Sequence, residues 1–296
     1  MALVDLVRKQ KKTASAHELI EKALREEVRI HNPLRPESWL RVSSIGGVCP
    51  RQEVLASRMN VVRQEGISPD LGMVFAMGHA LHWGMQNIVM PATGRFVGSW
   101  RCTWCGEIYG SLKEGLMARP DRCVRCGAHA GEVPRVNNKP DYDVRSDAFV
   151  FMEEWVGDHG YMIGGHPDGY FVDGDPANFT DDDVIVLEFK SCSESNYAKY
   201  KKAPDFMHVI QAQVYLWLTG FRRGKIIYVN KGKFGMEGVV EHDISYDEES
   251  VSLVKAAIKE IREGLSGGKI PDREACADSN CPRANACEVS KACFTT

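Results

Sequence analysis

Two short knuckles, CTWCG at residues 102–106 and CVRCG at residues 123–127, constrain this chain more than any other feature. They stand 17 residues apart and offer four thiolates as two pairs, an arrangement suited to tetrahedral zinc. Gly106 and Gly127 permit the tight turns through which backbone N–H groups approach sulfur. Four cysteines leave no open position for substrate. Cys102, Cys105, Cys123 and Cys126 therefore predict a structural Zn2+ that holds a small ribbon together. The flanks carry Arg101, Arg119, Arg122 and Arg125 with Trp100 and Trp104, which suits either a grip on nucleic acid or a solvated charged face.

Six further cysteines are Cys49, Cys192 and a tail set, Cys276, Cys281, Cys287 and Cys293. The first residues lack the apolar core of a secretory signal, so the thiols are read as metal ligands before disulfides. The tail gaps of four, five and five residues lack paired knuckles. Three tail cysteines with a distant fourth suit a cubane iron–sulfur cluster. Cys49 is the distant candidate because a CPR triplet begins at both Cys49 and Cys281, although a lone cysteine is more often a small packed side chain. Cys192 reads as such a packed thiol.

At 296 residues the chain suits one large domain with insertions, or two smaller ones. No apolar run reaches the length of a membrane helix, and the expected location is cytoplasmic with no membrane partner. A net charge of −3 excludes blanket attraction to nucleic acid, so binding would need local patches. The basic stretches FRRGK (221–225) and NKGKFG (230–235) are the preferred track for a DNA backbone.

Apolar spacing predicts an amphipathic helix over Ala16–Ile30, a short helix after Cys49 and a longer one over Leu71–Val89. Strands are expected at FVFMEEW, MIGGHPDGYFVD and VIVLEFKS, then a helix over DFMHVIQAQVYLWLTG. Strands near KIIYVN and GVVEHDI and a last helix over Asp247–Glu263 follow. In VIVLEFKS, the period of two puts Glu188 and Lys190 on one face and Leu187 and Phe189 on the other. The plain explanation is a salt bridge on a solvated sheet face. Asp168 lies at a turn one strand earlier, however, and adjacent strands would bring two carboxylates to one divalent cation. Such an ion polarises a phosphate and activates water, and Lys190 can orient that water or offset the growing charge.

The order of these motifs resembles the PD-(D/E)xK nucleases. It resembles in particular their RecB-like branch, which includes the AddB nuclease and the CRISPR-associated iron–sulfur exonucleases. Gly78 and His82 in GHALH match the first motif, Gly165 and Asp168 in GHPD the second, and Glu188 and Lys190 in EFK the third. Gln211 and Tyr215 in QAQVY match the fourth, one helical turn apart. The resemblance spans about Ser43–Cys287. It implies an α/β fold: a restriction-endonuclease-like core with a central mixed sheet flanked by helices. It also implies catalytic Mg2+ or Mn2+ at His82, Asp168, Glu188 and Phe189, with Gln211 and Tyr215 assisting Lys190. A 4Fe-4S cluster on Cys49, Cys276, Cys281 and Cys287 would clasp the N- and C-terminal regions together. Two departures are the ribbon between the first and second motifs and the surplus Cys293.

The expected organisation is a helical arm (1–35), a nuclease core (36–95 and 137–268), the zinc ribbon (96–136) and a cluster segment (269–296). The expected activity is that of a metal-dependent deoxyribonuclease, an exonuclease of recombination, repair or phage DNA metabolism. Its partners would be DNA, single-stranded or with free ends, and recombination or replication proteins. The alternatives are a nucleic-acid-binding protein with an idle nuclease pocket and a CRISPR adaptation nuclease.

Overall fold

The computed structural model describes residue 20 and residues 39–61, 68–131, 135–136, 139–140, 147–233 and 235–295. Apart from Ile20, the helix expected over Ala16–Ile30 lies outside the described residues. The chain divides into two compact units, residues 1–37 with 62–80, and residues 38–61 with 81–296. The first unit is described chiefly by the opening turns of a helix, Pro69–Gly84, which expose Leu71, Val74, Phe75 and Met77. No helix among the described residues is long and apolar enough to cross a membrane.

The second unit is built on an eight-stranded mixed sheet. Its long strands are β1 (Phe96–Cys102), β2 (Phe149–Met152), β3 (Gly169–Val172), β4 (Val184–Cys192), β5 (Arg223–Asn230) and β6 (Val239–Ser245). The order β6-β5-β4-β3-β1 is antiparallel except at β4–β5, which is parallel. β1 is shared along its length: Phe96 and Val97 pair with β3, and Ser99–Cys102 pair with β2. The strand that enters the first cysteine knuckle is thus a member of the central sheet.

Four helices matter for the site: α1 (Pro50–Arg58), α2 (Pro69–Gly84), α3 (Phe206–Thr219) and α4 (Glu248–Leu265). Asp205 caps α3 by accepting from the Met207 amide at 2.9 Å, and Gly220 ends it with φ +82°. Asp247 caps α4, whose Val251, Val254, Ile258 and Ile261 form one buried stripe. The helix expected to continue to Val89 changes form at its end. Residues Met85–Val89 make a π-turn, a widening that is often found at functional positions.

A parallel pair needs a crossover, and here residues 193–222 supply it and lay α3 across one face of β4. The period of two along β4 divides two cores. Val184 and Val186 pack with Val214, Tyr215 and Leu216 of α3, while Ile185, Leu187 and Phe189 pack with Phe96, Trp100, Cys102, Phe149 and Phe151. The knuckles and the back of β4 therefore share one apolar cluster.

Candidate active site

Glu188 and Lys190 do not lie on a solvated sheet face, the plain explanation of their spacing. Glu188 is 4% exposed, and its Oε1 lies 2.5 Å from Lys190 Nζ beneath α3. Gln211 closes the pair from above: its amide donates to Glu188 Oε1 at 2.8 Å, and its Oε1 accepts from Lys190 Nζ at 2.9 Å. The other oxygen, Glu188 Oε2, is buried with no hydrogen-bond partner. A buried carboxylate oxygen without a donor is costly. Burial first, then the negative Asp168, push the Glu188 carboxyl up to about 7, against the pull of Lys190.

Antiparallel pairing of β3 with β4 sets Gly169 opposite Leu187, so Asp168 enters directly beside Glu188. The Phe189 amide donates to Asp168 Oδ2 at 2.6 Å, and His82 Nδ1 lies 3.2 Å from Asp168 Oδ1. Burial works against charge on His82, but Asp168 and then Glu188 outweigh it and raise its pKa above 6.5. The Phe189 ring is fully buried on the opposite face, leaving its backbone carbonyl as the only atom that could meet a metal. Gly169 follows Asp168 with φ +154°, and a Cβ there would stand 2.3 Å from the Phe96 ring.

Tyr215 acts at one remove. Its hydroxyl donates to the His166 carbonyl at 2.9 Å, inside the turn that carries Asp168. A Cβ on Gly165 would approach that hydroxyl to 2.9 Å, so the glycine permits the contact. Gly78, in contrast, falls in the other compact unit.

Two residues that no motif pointed to stand in the same site. Gln86, in the π-turn and 6% exposed, donates from one amide nitrogen to Glu153 Oε1 at 2.7 Å and to the Asp168 carbonyl at 2.9 Å. Glu153 follows β2. The residue is open to solvent, but its carboxylate is crowded by protein, and this burial, followed by nearby Asp168, raises its pKa in spite of Gln86. Ligand atoms of His82, Glu153 and Asp168 all lie within 4.8 Å of one another. The available signals were weak: Gln86 follows His82 by one helical turn, and Glu153 is the first acid after an apolar strand.

The knuckle cysteines converge on one point. Cys102 and Cys126 Sγ are 3.6 Å apart, Cys105 and Cys123 Sγ 3.5 Å, and all four lie within 4.8 Å of one another. Zinc–sulfur bonds of about 2.3 Å at tetrahedral angles would set sulfurs about 3.8 Å apart, so the group fits one zinc ion. The two knuckles repeat one geometry: Gly106 N donates to Cys102 O at 2.9 Å and Gly127 N to Cys123 O at 2.8 Å, with φ of +78° and +81°. Burial opposes ionisation of Cys123, yet bonds from the Tyr109 hydroxyl and backbone amides lower its thiol to about 6. Two of the four flanking arginines are engaged in ion pairs, Arg119 with Asp147 and Arg125 with Glu107. The same holds on the basic edge, where Arg223 pairs with Asp173, Lys225 with Glu241 and Asp243, and Lys233 with Glu194. That edge offers less free charge than its sequence suggests.

The tail cysteines line a recess instead of meeting at a point. Cys49, Cys276, Cys287 and Cys293 share it with Arg273 and Arg283. Cys281 stands beside Cys276; burial, then the bond from this neighbour, push the Cys276 thiol up to about 11. A cubane places its ligand sulfurs on four separate irons, so it needs wider spacing than one zinc ion, and these thiols suit it in kind. Both CPR triplets begin helices with proline in the first turn, and their arginines cross between the two regions. Arg51 donates to Pro271 O at 2.9 Å, Cys293 O at 3.1 Å and Cys293 Sγ at 3.3 Å, while Arg283 donates to Gly47 O at 2.8 Å.

No family model matches the chain, and no curated protein matches it. Among solved structures, the chain is similar to the protein SSO0001, with 16% identity, a TM-score of 0.42 and coverage of 93% of this chain and 96% of that one. It is similar to an alkaline exonuclease from Laribacter hongkongensis, with 11% identity, a TM-score of 0.44 and coverage of 78% and 89%. A phage-related exonuclease from Haemophilus somnus gives 15% identity, a TM-score of 0.29 and coverage of 38% and 58%. Likenesses below a TM-score of 0.5 are too loose to transfer chemistry, which must come from this chain's own side chains.

Proposed function

We propose that the protein is a metal-dependent DNA nuclease whose reacting centre comprises His82, Asp168, Glu188, Lys190 and Gln211. The observation that carries this reading is the buried, unpartnered Glu188 Oε2, set beside Asp168 and opposite a lysine already held in place. Two buried carboxylates with a spare oxygen fit a hard divalent cation, Mg2+ or Mn2+, with His82 and the Phe189 carbonyl as further ligands. Such an ion, when bound, supplies Lewis acidity to a phosphate and a more acidic water. Lys190 keeps its proton at Nζ, where an ammonium offsets charge growing on phosphorus oxygens. Gln211 fixes both Lys190 and Glu188, and Tyr215 fixes the turn that bears Asp168. Exposed Lys199, Lys201 and Lys202 precede α3 and suit the polyanionic backbone of the substrate.

An exonuclease of recombination, repair or phage DNA metabolism is the form we favour. DNA labelled at one end should lose that label in Mg2+ or Mn2+ when the end is free and retain it when the end is blocked. Intact DNA in both metals, single- or double-stranded, would sink the reading.

We also infer a 4Fe-4S cluster on Cys49, Cys276, Cys281 and Cys287, with Cys293 left to Arg51. The Ala284 N–H aimed at Cys281 Sγ at 3.3 Å suits a thiolate there. Anaerobically purified protein is expected to be brown, to bleach in Cys49→Ala and to keep its colour in Cys293→Ala. The opposite pattern would assign the cluster to the tail alone.

A further inference from the structure

We propose that Glu153 is a direct ligand of the divalent cation, aimed by Gln86. The inference rests on the metal site proposed above and adds to it a residue that lies outside every motif.

Three observations support it. The Glu153, Asp168 and His82 ligand atoms lie within 4.8 Å of one another. Around one Mg2+ with bonds of about 2.1 Å, octahedral ligand atoms stand about 3–4 Å apart, so a small contraction closes the group on an ion. Glu188, outside that group but beside Asp168 by strand register, supplies an independent sign of a cation nearby, since its Oε2 is buried with no donor.

Charge gives the second argument. Asp168 and Glu188 with the Lys190 ammonium sum to −1, which one divalent ion would overcompensate. Adding Glu153 brings the sum to −2, with His82 neutral as a metal ligand must be. One divalent cation then leaves the site without net charge, the least costly state for its buried members, Asp168 and Glu188.

The third argument is placement. The π-turn carries Gln86 beyond His82, and Asn87 in the same turn accepts from the Phe151 amide at 2.8 Å, which docks the turn on β2. One buried amide nitrogen then holds both the Glu153 carboxylate and the Asp168 backbone. Glu153 Oε1 is occupied by this bond, and its second oxygen is the one offered to the ion. Gln86 is a positioning residue in this scheme, comparable to the outer partners that orient metal-bound carboxylates elsewhere.

Mn2+ titration of the zinc-loaded full chain by calorimetry tests the proposal. Wild type should bind one Mn2+. Glu153→Gln should weaken that binding by about 10–100-fold, with partial recovery in Glu153→Asp and no change in ribbon zinc content. Affinity in Glu153→Gln within twofold of wild type, while Asp168→Ala abolishes binding, would overturn the role of Glu153 alone. No Mn2+ binding by wild type, or wild-type affinity in Asp168→Ala, would instead overturn the site itself. If Glu153→Gln does not fold, anomalous scattering from Mn2+-soaked wild-type crystals decides. An ion about 2.2 Å from a Glu153 oxygen is expected, and one beyond about 3 Å overturns the proposal.

Discussion

Glu188→Gln is expected to silence metal-dependent cleavage and yet make the protein without divalent ion more stable above neutral pH. Cleavage should fall by ~10²–10³-fold or more, because the substitution removes an anionic ligand and the acceptor that holds Lys190. The stability gain follows from burial, which raises the Glu188 carboxyl from 4.5 to about 7. A native state that binds this proton more tightly than the unfolded chain is favoured fully below pH 4.5 and loses that advantage as pH rises through 7. Glutamine never ionises, so the variant should match wild type near pH 4.5 and exceed it at pH 8 by on the order of 3 kcal/mol. Melting curves at the two pH values, with zinc in the ribbon and no added Mg2+ or Mn2+, read this directly. Equal melting temperatures at pH 8 would contradict the cost assigned to the buried carboxylate, and undiminished cleavage would remove Glu188 from the chemistry.

Cys102→Ser is expected to damage the proposed metal centre as well as the knuckles. Cys102 ends β1, whose first residues pair with β3 beside Asp168, and whose Trp100 shares an apolar cluster with Leu187 and Phe189. Losing one of four thiolates should release the zinc, free both knuckles and leave Phe189 without its backing. A fall in melting temperature of roughly 10 °C or more is expected, with cleavage falling alongside it and the brown chromophore retained. A ribbon that is only tethered would melt in a separate, earlier transition and leave cleavage untouched. That pattern would show that the shared cluster does not transmit the loss.

Much of this arrangement was legible in short-range pattern. The β-branched run Val184–Val186 announces a strand, the period of two puts Glu188 and Lys190 on one face, and four-residue spacing aligns Gln211 with Tyr215. Each of these is a property of one element. Glu153 and Gln86 were not legible, because their meeting depends on a π-turn inside an apparently regular helix and on its docking against β2. The net charge of the basic edge was only half legible for a related reason: residues that are neighbours in sequence showed their charge, whereas acids that pair with it, Asp173 and Glu241 among them, come from elsewhere in the chain. The cysteine knuckles were legible because their geometry is local, and β1 was not, because its partners lie about fifty to seventy-five residues downstream.

The crossed arginines bear on the order in which a newly made chain can finish folding. Arg51 waits for Pro271 and Cys293, which are 220 and 242 residues further on, and Arg283 returns to Gly47. Contacts of such sequence separation form late, after shorter loops have closed. Synthesis runs from the N-terminus, so α1 is made well before the segment around Pro271 and Cys293 that completes the contacts of Arg51. The short helix Val42–Ile45 just before α1 packs on α3, the helix that carries Gln211. Until residues 271–293 have been made and docked, α1 and the neighbouring short helix that supports α3 therefore lack part of their packing.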